Sequence, residues 1–209
     1  MTGLDAITGL DAFANRVRAC RLCVQHPQGP PLPHEPRPVF QLSPTARVLI
    51  ASQAPGTRVH ASGRPFTDAS GDRLRHWLGI GPEIFYDQAR IAIVPMGLCF
   101  PGQDERGADL PPRRECAPHW QARLMQRLSA VELILAIGMY AQNWHLGGFR
   151  KPSLTETVRA WREPYERLSP PVIPLPHPSW RNNAWIRREP WFERELLPVV
   201  RAHVGRLVG

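Results

Sequence analysis

The sequence predicts an α/β fold, a three-layer αβα sandwich around a central sheet of four parallel strands. Four short runs of Val, Ile, Leu and Ala have the composition of strands that are buried on both faces. Segments with helical periodicity separate the runs, and this alternation favours a parallel sheet with helices on both sides. The 209 residues fit one domain over 1–209.

The elements follow from these patterns in chain order. A helix is predicted over 10–19, and a Pro-rich connecting segment over 26–38 follows it. Strands are predicted at 47–52, 90–94, 131–137 and 172–175, and each is closed by a Gly or Pro turn. Further helices are predicted at 70–78 with Ser70 as the N-cap, at 115–128, from about 139, at 154–162 and at 191–207.

Composition excludes several classes of protein. No window approaches the ~18 apolar residues of a membrane span, and the acidic first residues lack the basic start of a secretory signal. Four cysteines are too few for a disulfide-stapled scaffold. The 7 Trp and 7 Phe argue against intrinsic disorder. We expect a cytoplasmic protein with no membrane contact, and we expect it to be a monomer.

The charge balance favours a polyanionic partner. Basic side chains outnumber acidic ones by 26 to 18, which leaves a net charge of +8. Lys151 is the single lysine, and all other basic residues are arginines. Arg grips phosphate at two points, whereas the codon usage of a GC-rich genome is the alternative explanation for this excess.

The cysteines predict a metal site. Cys20 and Cys23 form a C-x2-C pair, and Cys99 and Cys116 have 16 residues between them. In a reducing cytosol such a pair indicates a metal or a redox dithiol, but a pair between a helix and a Pro-rich loop disfavours the redox reading. A four-thiolate site for Zn or an iron–sulfur cluster is favoured. The alternative is that Cys99 and Cys116 are core thiols, and the wide distal spacing disfavours a zinc ribbon.

Three loops follow predicted strands and should meet at the carboxyl edge of the sheet. In the loop 53–66, Pro55 and Gly56 force a turn that exposes backbone N–H groups. Phe66 closes this loop and would stack on a flat heterocycle, with an ordinary core Phe as the alternative. The second loop is 95–102. In the third, 177–181, His177 is held between two prolines and is placed to contact an anion, unless it is simply satisfied within the loop.

Taken in order, these motifs resemble the iron–sulfur, thermophile-type (family 4-like) branch of the uracil-DNA glycosylase superfamily. The resemblance runs from about residue 17 to the last helix, and its matching pieces are Cys20/Cys23, Ser52–Gly56, Gly63–Phe66 with Gly71, Cys99–Pro101, Cys116 and His177–Ser179. It implies a glycosylase-like fold and a [4Fe–4S] cluster on the four cysteines, with Zn as the alternative occupant. It also implies base excision repair of DNA in the bacterial nucleoid: uracil or a related deaminated base is flipped out and its N-glycosidic bond is hydrolysed.

The sequence departs from the family pattern at the base-reading positions. Gln53 stands where the family has Glu, and no carboxylate lies between Gln53 and Phe66. Pro95 stands where the family places the Asn that reads the uracil edge. A second hypothesis is therefore a catalytically weak or inactive relative that binds damaged or abasic DNA. A third is a metal-bearing protein of nucleotide metabolism without DNA contact.

The resemblance and the loop chemistry assign a role to each candidate residue. His177 would donate to the departing base. Gln53 and backbone groups would hold the attacking water, and His60 would activate it, as the one titratable side chain of that loop that could do so. The predicted base-binding residues are Gln53, Ala54, Gly56, Phe66 and Pro95. The predicted DNA-binding residues are Ser70, Ser179, Trp180, Arg181 and Asn182, with Trp180 or Arg181 as the wedge.

Overall fold

One parallel sheet lies between two layers of helices in the computed structural model, which describes residues 3–209 and the side chains of 9–209. The strands are β1 (Val48–Ser52), β2 (Ile91–Pro95), β3 (Leu133–Ile137) and β4 (Val172–Leu175), in the order β2-β1-β3-β4. All pairs are parallel, and Ile50 of β1 stands opposite Ile93 and Leu135. Every strand residue is buried, which explains the uninterrupted apolar runs. The predicted α/β fold is confirmed.

The helices cover both faces of the sheet. Their bounds are α1 (Gly3–Arg18), α2 (Leu22–Gln25), α3 (Thr57–Ser62), α4 (Ala69–Leu78), α5 (Pro82–Phe85), α6 (Cys116–Met125), α7 (Gly138–His145), α8 (Leu154–Arg159), α9 (Arg162–Arg167), α10 (Asn183–Arg188) and α11 (Leu197–Val208). Short 3₁₀ turns occupy Gly147–Phe149 and Trp180–Asn182, and a π-helical turn, Phe192–Leu196, leads into α11. None of the described helices combines the length and apolarity needed to cross a bilayer.

Alternate residues of β1 divide the core into two halves. Val48 and Ile50 pack with Trp77 of α4 and with residues of α11 on one face. Leu49 and Ala51 point to the other face, toward α1 and α6. This alternation is the ordinary consequence of the two-residue period of a strand, and it leaves the strand ends free to carry the loops.

Three helix predictions need correction. The N-cap of α4 is Asp68 rather than Ser70, because the Asp68 carboxylate accepts from the Gly71 backbone N–H at 3.1 Å. The 154–162 stretch is split into α8 and α9, and a capping box between Ser153 and Glu156 starts the first of them. The C-terminal helix begins with a π turn. The short helices α3, α5 and α10 lie in segments for which no helix was predicted.

The Pro-rich segment 26–38 contains neither helix nor strand, and it is tied to the domain. Leu32 is buried against Cys23 and Cys99. The Pro30 carbonyl accepts from Arg113 Nη1 at 2.6 Å. The segment therefore wraps over the N-terminal and 95–116 parts of the chain instead of extending into solvent.

Candidate functional site

The three predicted loops meet around one cavity at the carboxyl edge of the sheet. Its volume is about 540 Å³, within the range of small-molecule sites. Its lining includes Ser52, Gln53, Ala54, Pro55, Gly56, Thr57, Arg58, Val59, Phe66, Asp68, Ser70, Pro95, Gln103, Asp109, Leu110, His177, Ser179, Trp180, Arg181 and Asn182. All predicted base-binding and DNA-binding residues are among them.

Buried side-chain amides hold the strand ends that form the cavity floor. Gln121 Nε2 of α6 donates to the Pro95 carbonyl at 2.8 Å, and Gln142 Nε2 of α7 donates to the Leu175 carbonyl at 2.9 Å. The Gly97 N–H donates to the Gln53 carbonyl at 2.9 Å. The two amides satisfy carbonyl groups at the last residues of β2 and β4, and the third bond holds the loop after β2 against Gln53.

Phe66 is held in a strained conformation at the cavity wall. Its φ is 53°, in the left-handed region that non-glycine residues rarely adopt. Its carbonyl accepts from the Tyr86 hydroxyl at 3.0 Å and from Arg75 Nη1 at 3.3 Å. The ring meets Phe85 edge-on, with 6.0 Å between centroids. Phe66 thus belongs to the core and also lines the cavity. Its position agrees in part with an ordinary core Phe and in part with a ring that is available to stack on a heterocycle.

The β4 loop presents His177 to the cavity and Trp180 to solvent. Asn182 Nδ2 donates to the His177 carbonyl at 2.7 Å, and Arg73 Nη1 donates to the Ser179 carbonyl at 3.0 Å. Burial lowers the pKa of His177, while Asp68 and Asp109 act in the opposite direction. The imidazole is therefore neutral at neutral pH and keeps one N–H to donate. Trp180 is 72% exposed at the rim.

The structure does not bring His60 to the cavity. His60 packs against His34, with ring centroids 4.3 Å apart, and against Phe100 at 5.7 Å. Because α3 is a helix, its residues face different directions: Thr57, Arg58 and Val59 line the cavity, and His60 does not. This placement argues against the predicted role of His60 in activating water.

Sequence reasoning missed two carboxylates of the cavity. Asp68 lies beside Phe66 and caps α4, and Asp109 enters from a hairpin between Cys99 and Cys116. The signal for the hairpin was present, since Asp104 and Gly107 stand at the first and fourth positions of a turn. The turn residues predict a hairpin, but they do not predict that it folds over the loop after β1.

None of the four cysteines forms a disulfide bond, and their sulfurs lie near enough to influence one another. Burial raises the pKa of Cys23 to about 11 and that of Cys99 to about 12. It also raises the pKa of Cys116, and the charges of Cys23, Cys99 and Cys20 raise it further. Such mutual effects require neighbouring sulfurs.

Polar hydrogens already point at two of the sulfurs. The Leu98 N–H donates to Cys116 Sγ at 3.3 Å, and Trp120 Nε1 donates to Cys20 Sγ at 3.2 Å. Among the side chains of residues 9–209, however, no group of three or more His, Cys, Asp or Glu has the geometry to bind one metal ion.

The comparison with protein families identifies the fold around this cavity. The model of the uracil DNA glycosylase superfamily matches residues 39–201. The match covers most of the chain, all four strands and every loop that lines the cavity, whereas Cys20 and Cys23 precede it. The chain belongs to the uracil DNA glycosylase superfamily.

Proposed function

We propose that this protein removes uracil or a related deaminated base from DNA by hydrolysing the N-glycosidic bond. The observation that carries the proposal is the cavity, which combines a buried aromatic ring, Phe66, with a neutral donor, His177, below an exposed Trp180. Superfamily membership indicates DNA glycosylase chemistry in general, and these three side chains indicate how it would be carried out here.

In the proposed reaction a base leaves the DNA stack and enters the cavity. Phe66 stacks on the base, because its strained backbone and its core contacts hold the ring in place. As the C1′–N bond breaks, negative charge develops on the departing base. The neutral His177 donates its N–H to that charge, in the manner of an oxyanion-hole donor.

Base recognition would depend on Gln53 and on backbone groups. Pro95 offers no side-chain donor or acceptor at the neighbouring strand end. The Gln53 amide has both a donor and an acceptor group, and Gln53 lines the cavity. The side-chain amide can rotate and present its donor and its acceptor in either order to the C=O and N–H groups of a lactam. For this reason hypoxanthine and xanthine are included with uracil among the candidate bases.

DNA contact is proposed for the rim formed by Ser70 and the β4 loop. Ser179, Arg181 and Asn182 are phosphate-type donors beside the cavity. Trp180 is the largest exposed apolar side chain there and is the proposed wedge, with Arg181 stacked on it at 5.8 Å. The net charge of +8 supports the same partner.

A base-release assay tests the proposed function. We expect purified protein to release free base from a single- or double-stranded oligonucleotide that carries one deoxyuridine, deoxyinosine or deoxyxanthosine. Release is measured by chromatography of the free base and by alkaline cleavage at the resulting abasic site. An undamaged oligonucleotide of the same sequence is the control. Absence of release from all three substrates in both strand forms would contradict the proposal.

One second function is favoured by a specific observation. Gln53 and Pro95 both depart from the family pattern, and the loop after β1 has no carboxylate. A relative that binds damaged or abasic DNA without excising a base would tolerate these changes. In the same assay it would release no base, yet it would bind an abasic-site duplex more tightly than an undamaged duplex.

We also propose that the four cysteines hold a [4Fe–4S] cluster. Burial and mutual repulsion disfavour the thiolates, so a cationic group among them would offset a large cost. In such a cluster each thiolate binds a different iron, and the sulfurs lie further apart than around one ion. The shared location of the four sulfurs and the resemblance to the iron–sulfur branch favour a cluster, with Zn as the alternative occupant. The cluster would tie the N-terminal segment to the 95–116 part of the chain.

Replacing Cys99 by serine is expected to remove this cluster. Wild-type protein should absorb broadly near ~400 nm and contain about four iron atoms per chain. Cys99→Ser should lose most of the iron and become less soluble, because the buried loops lose their common anchor. Metal analysis and absorbance of anaerobically purified protein make the measurement. A colourless wild type with one Zn per chain would overturn the cluster and retain the four-cysteine site.

A further inference from the structure

The cavity contains a carboxylate that does not come from the loop after β1. We propose that Asp109, carried by the hairpin between Cys99 and Cys116, is the general base that activates the attacking water. This inference rests on the proposed glycosylase function and deepens it. Activation of the attacking water would then come from a second loop, since His60 does not reach the cavity.

The hairpin that carries Asp109 is well built. The Asp104 N–H donates to the Ala108 carbonyl at 2.9 Å, and the Leu110 N–H donates to the Gly102 carbonyl at 2.9 Å. Asp104 Oδ1 accepts from the Ala108 N–H at 2.8 Å inside the turn. These bonds close the hairpin at its tip and at its base, so Asp109 has a defined position although it is exposed to solvent at the cavity mouth.

Asp109 faces the turn that follows Gln53. A Cβ atom added to Gly56 would lie 3.1 Å from Asp109 Oδ2, so the carboxylate rests directly on the glycine. Asp109 Oδ1 accepts from Gln103 Nε2 at 3.1 Å. Among the described residues no donor binds Oδ2, which leaves this oxygen available to a water molecule.

The other carboxylate of the cavity is less suitable. Asp68 Oδ1 is engaged with the Gly71 N–H as the N-cap of α4. Both Asp68 and Asp109 are near enough to His177 to raise its pKa against the effect of burial. Each carboxylate thus has one bonded oxygen and lies near His177, and what distinguishes Asp109 is that its second oxygen rests on Gly56, in the turn that follows Gln53.

The proposed hydrolysis proceeds through a cationic sugar. The C1′–N bond breaks and its electron pair stays with the base, whose charge His177 stabilises. The water oxygen then bonds to C1′ of the cationic sugar, and Asp109 takes the proton that this water loses. The base anion finally takes up a proton from solvent, and Asp109 releases its proton to solvent. The products are the free base and an abasic site.

The test compares two variants that remove one charge from the same hairpin. Asp109→Asn keeps the size and the hydrogen bond to Gln103, and it is expected to slow single-turnover release from the best of the three substrates by about 10²–10⁴-fold. Glu105→Gln removes a charge at the hairpin tip, outside the cavity lining, and should change the rate less than about twofold. Sodium formate should partly restore the release rate of Asp109→Ala. It should leave the release rate of Glu105→Gln unchanged.

Binding separates a catalytic role from a structural one. Asp109→Asn should bind an abasic-site duplex as tightly as wild type or more tightly, since a negative charge near phosphate is removed. Equal release rates for Asp109→Asn and Glu105→Gln would overturn the inference while leaving the proposed function intact. No release by wild type from any substrate would instead overturn the proposed function.

Discussion

Replacing His177 by alanine is expected to lower the single-turnover rate of base release by about 10²–10³-fold, the usual effect of losing one preorganised donor. His177 lines the cavity, and burial lowers its pKa, so the side chain reacts as a neutral N–H donor. The donor acts mainly on charge that exists in the transition state. Binding to product DNA should therefore change little. The release rate is measured on the best substrate, and the affinity is measured on the abasic product of that substrate.

His76→Ala is the matched control for this substitution. His76 is exposed on α4 and does not line the cavity, so its loss should leave the rate within about twofold of wild type. His60→Ala should behave like this control, since His60 faces His34 and Phe100. If His177→Ala released the base as fast as His76→Ala, the donor role would be refuted. A large loss in His60→Ala alone would restore the sequence-based assignment.

Gly71→Ala is expected to destabilise the protein by about 3 kcal/mol or more. An added Cβ would overlap the Phe66 carbonyl oxygen and lie 2.7 Å from its carbon. The neighbour is backbone, so it yields only if Phe66 moves out of its strained position. Alanine inside a helix otherwise stabilises by up to about 1 kcal/mol, and the clash outweighs this gain. Urea unfolding measures the free energy, and base release should fall with it.

Gly205→Ala is expected to change the free energy of unfolding in the opposite direction. Gly205 lies within α11, and nothing stands within 4 Å of its added Cβ. This variant should gain about 0.5–1 kcal/mol. A Gly71→Ala variant as stable as Gly205→Ala, with unchanged base release, would show that Phe66 is not clamped by the start of α4.

Much of the cavity was accessible to sequence reasoning. In a parallel sheet the carboxyl ends of the strands lie at one edge, so loops that follow different strands must meet there. Gln53, Pro95 and His177 each come directly after or at the end of a buried apolar run, and all three line the cavity. No knowledge of distance was needed, because topology alone brings such residues together.

The sequence by itself determined the sheet and the loops at its carboxyl edge, because burial on both faces demands uninterrupted apolar runs that can be read directly. Only the tertiary structure decided which side chains of those loops enter the cavity. His60 is turned away because residues 57–62 form a helix, whose side chains point in all directions around its axis. Asp109 enters because a hairpin distant in sequence folds over Gly56. That contact joins residues 53 positions apart, and a local pattern carries no information about such a pairing.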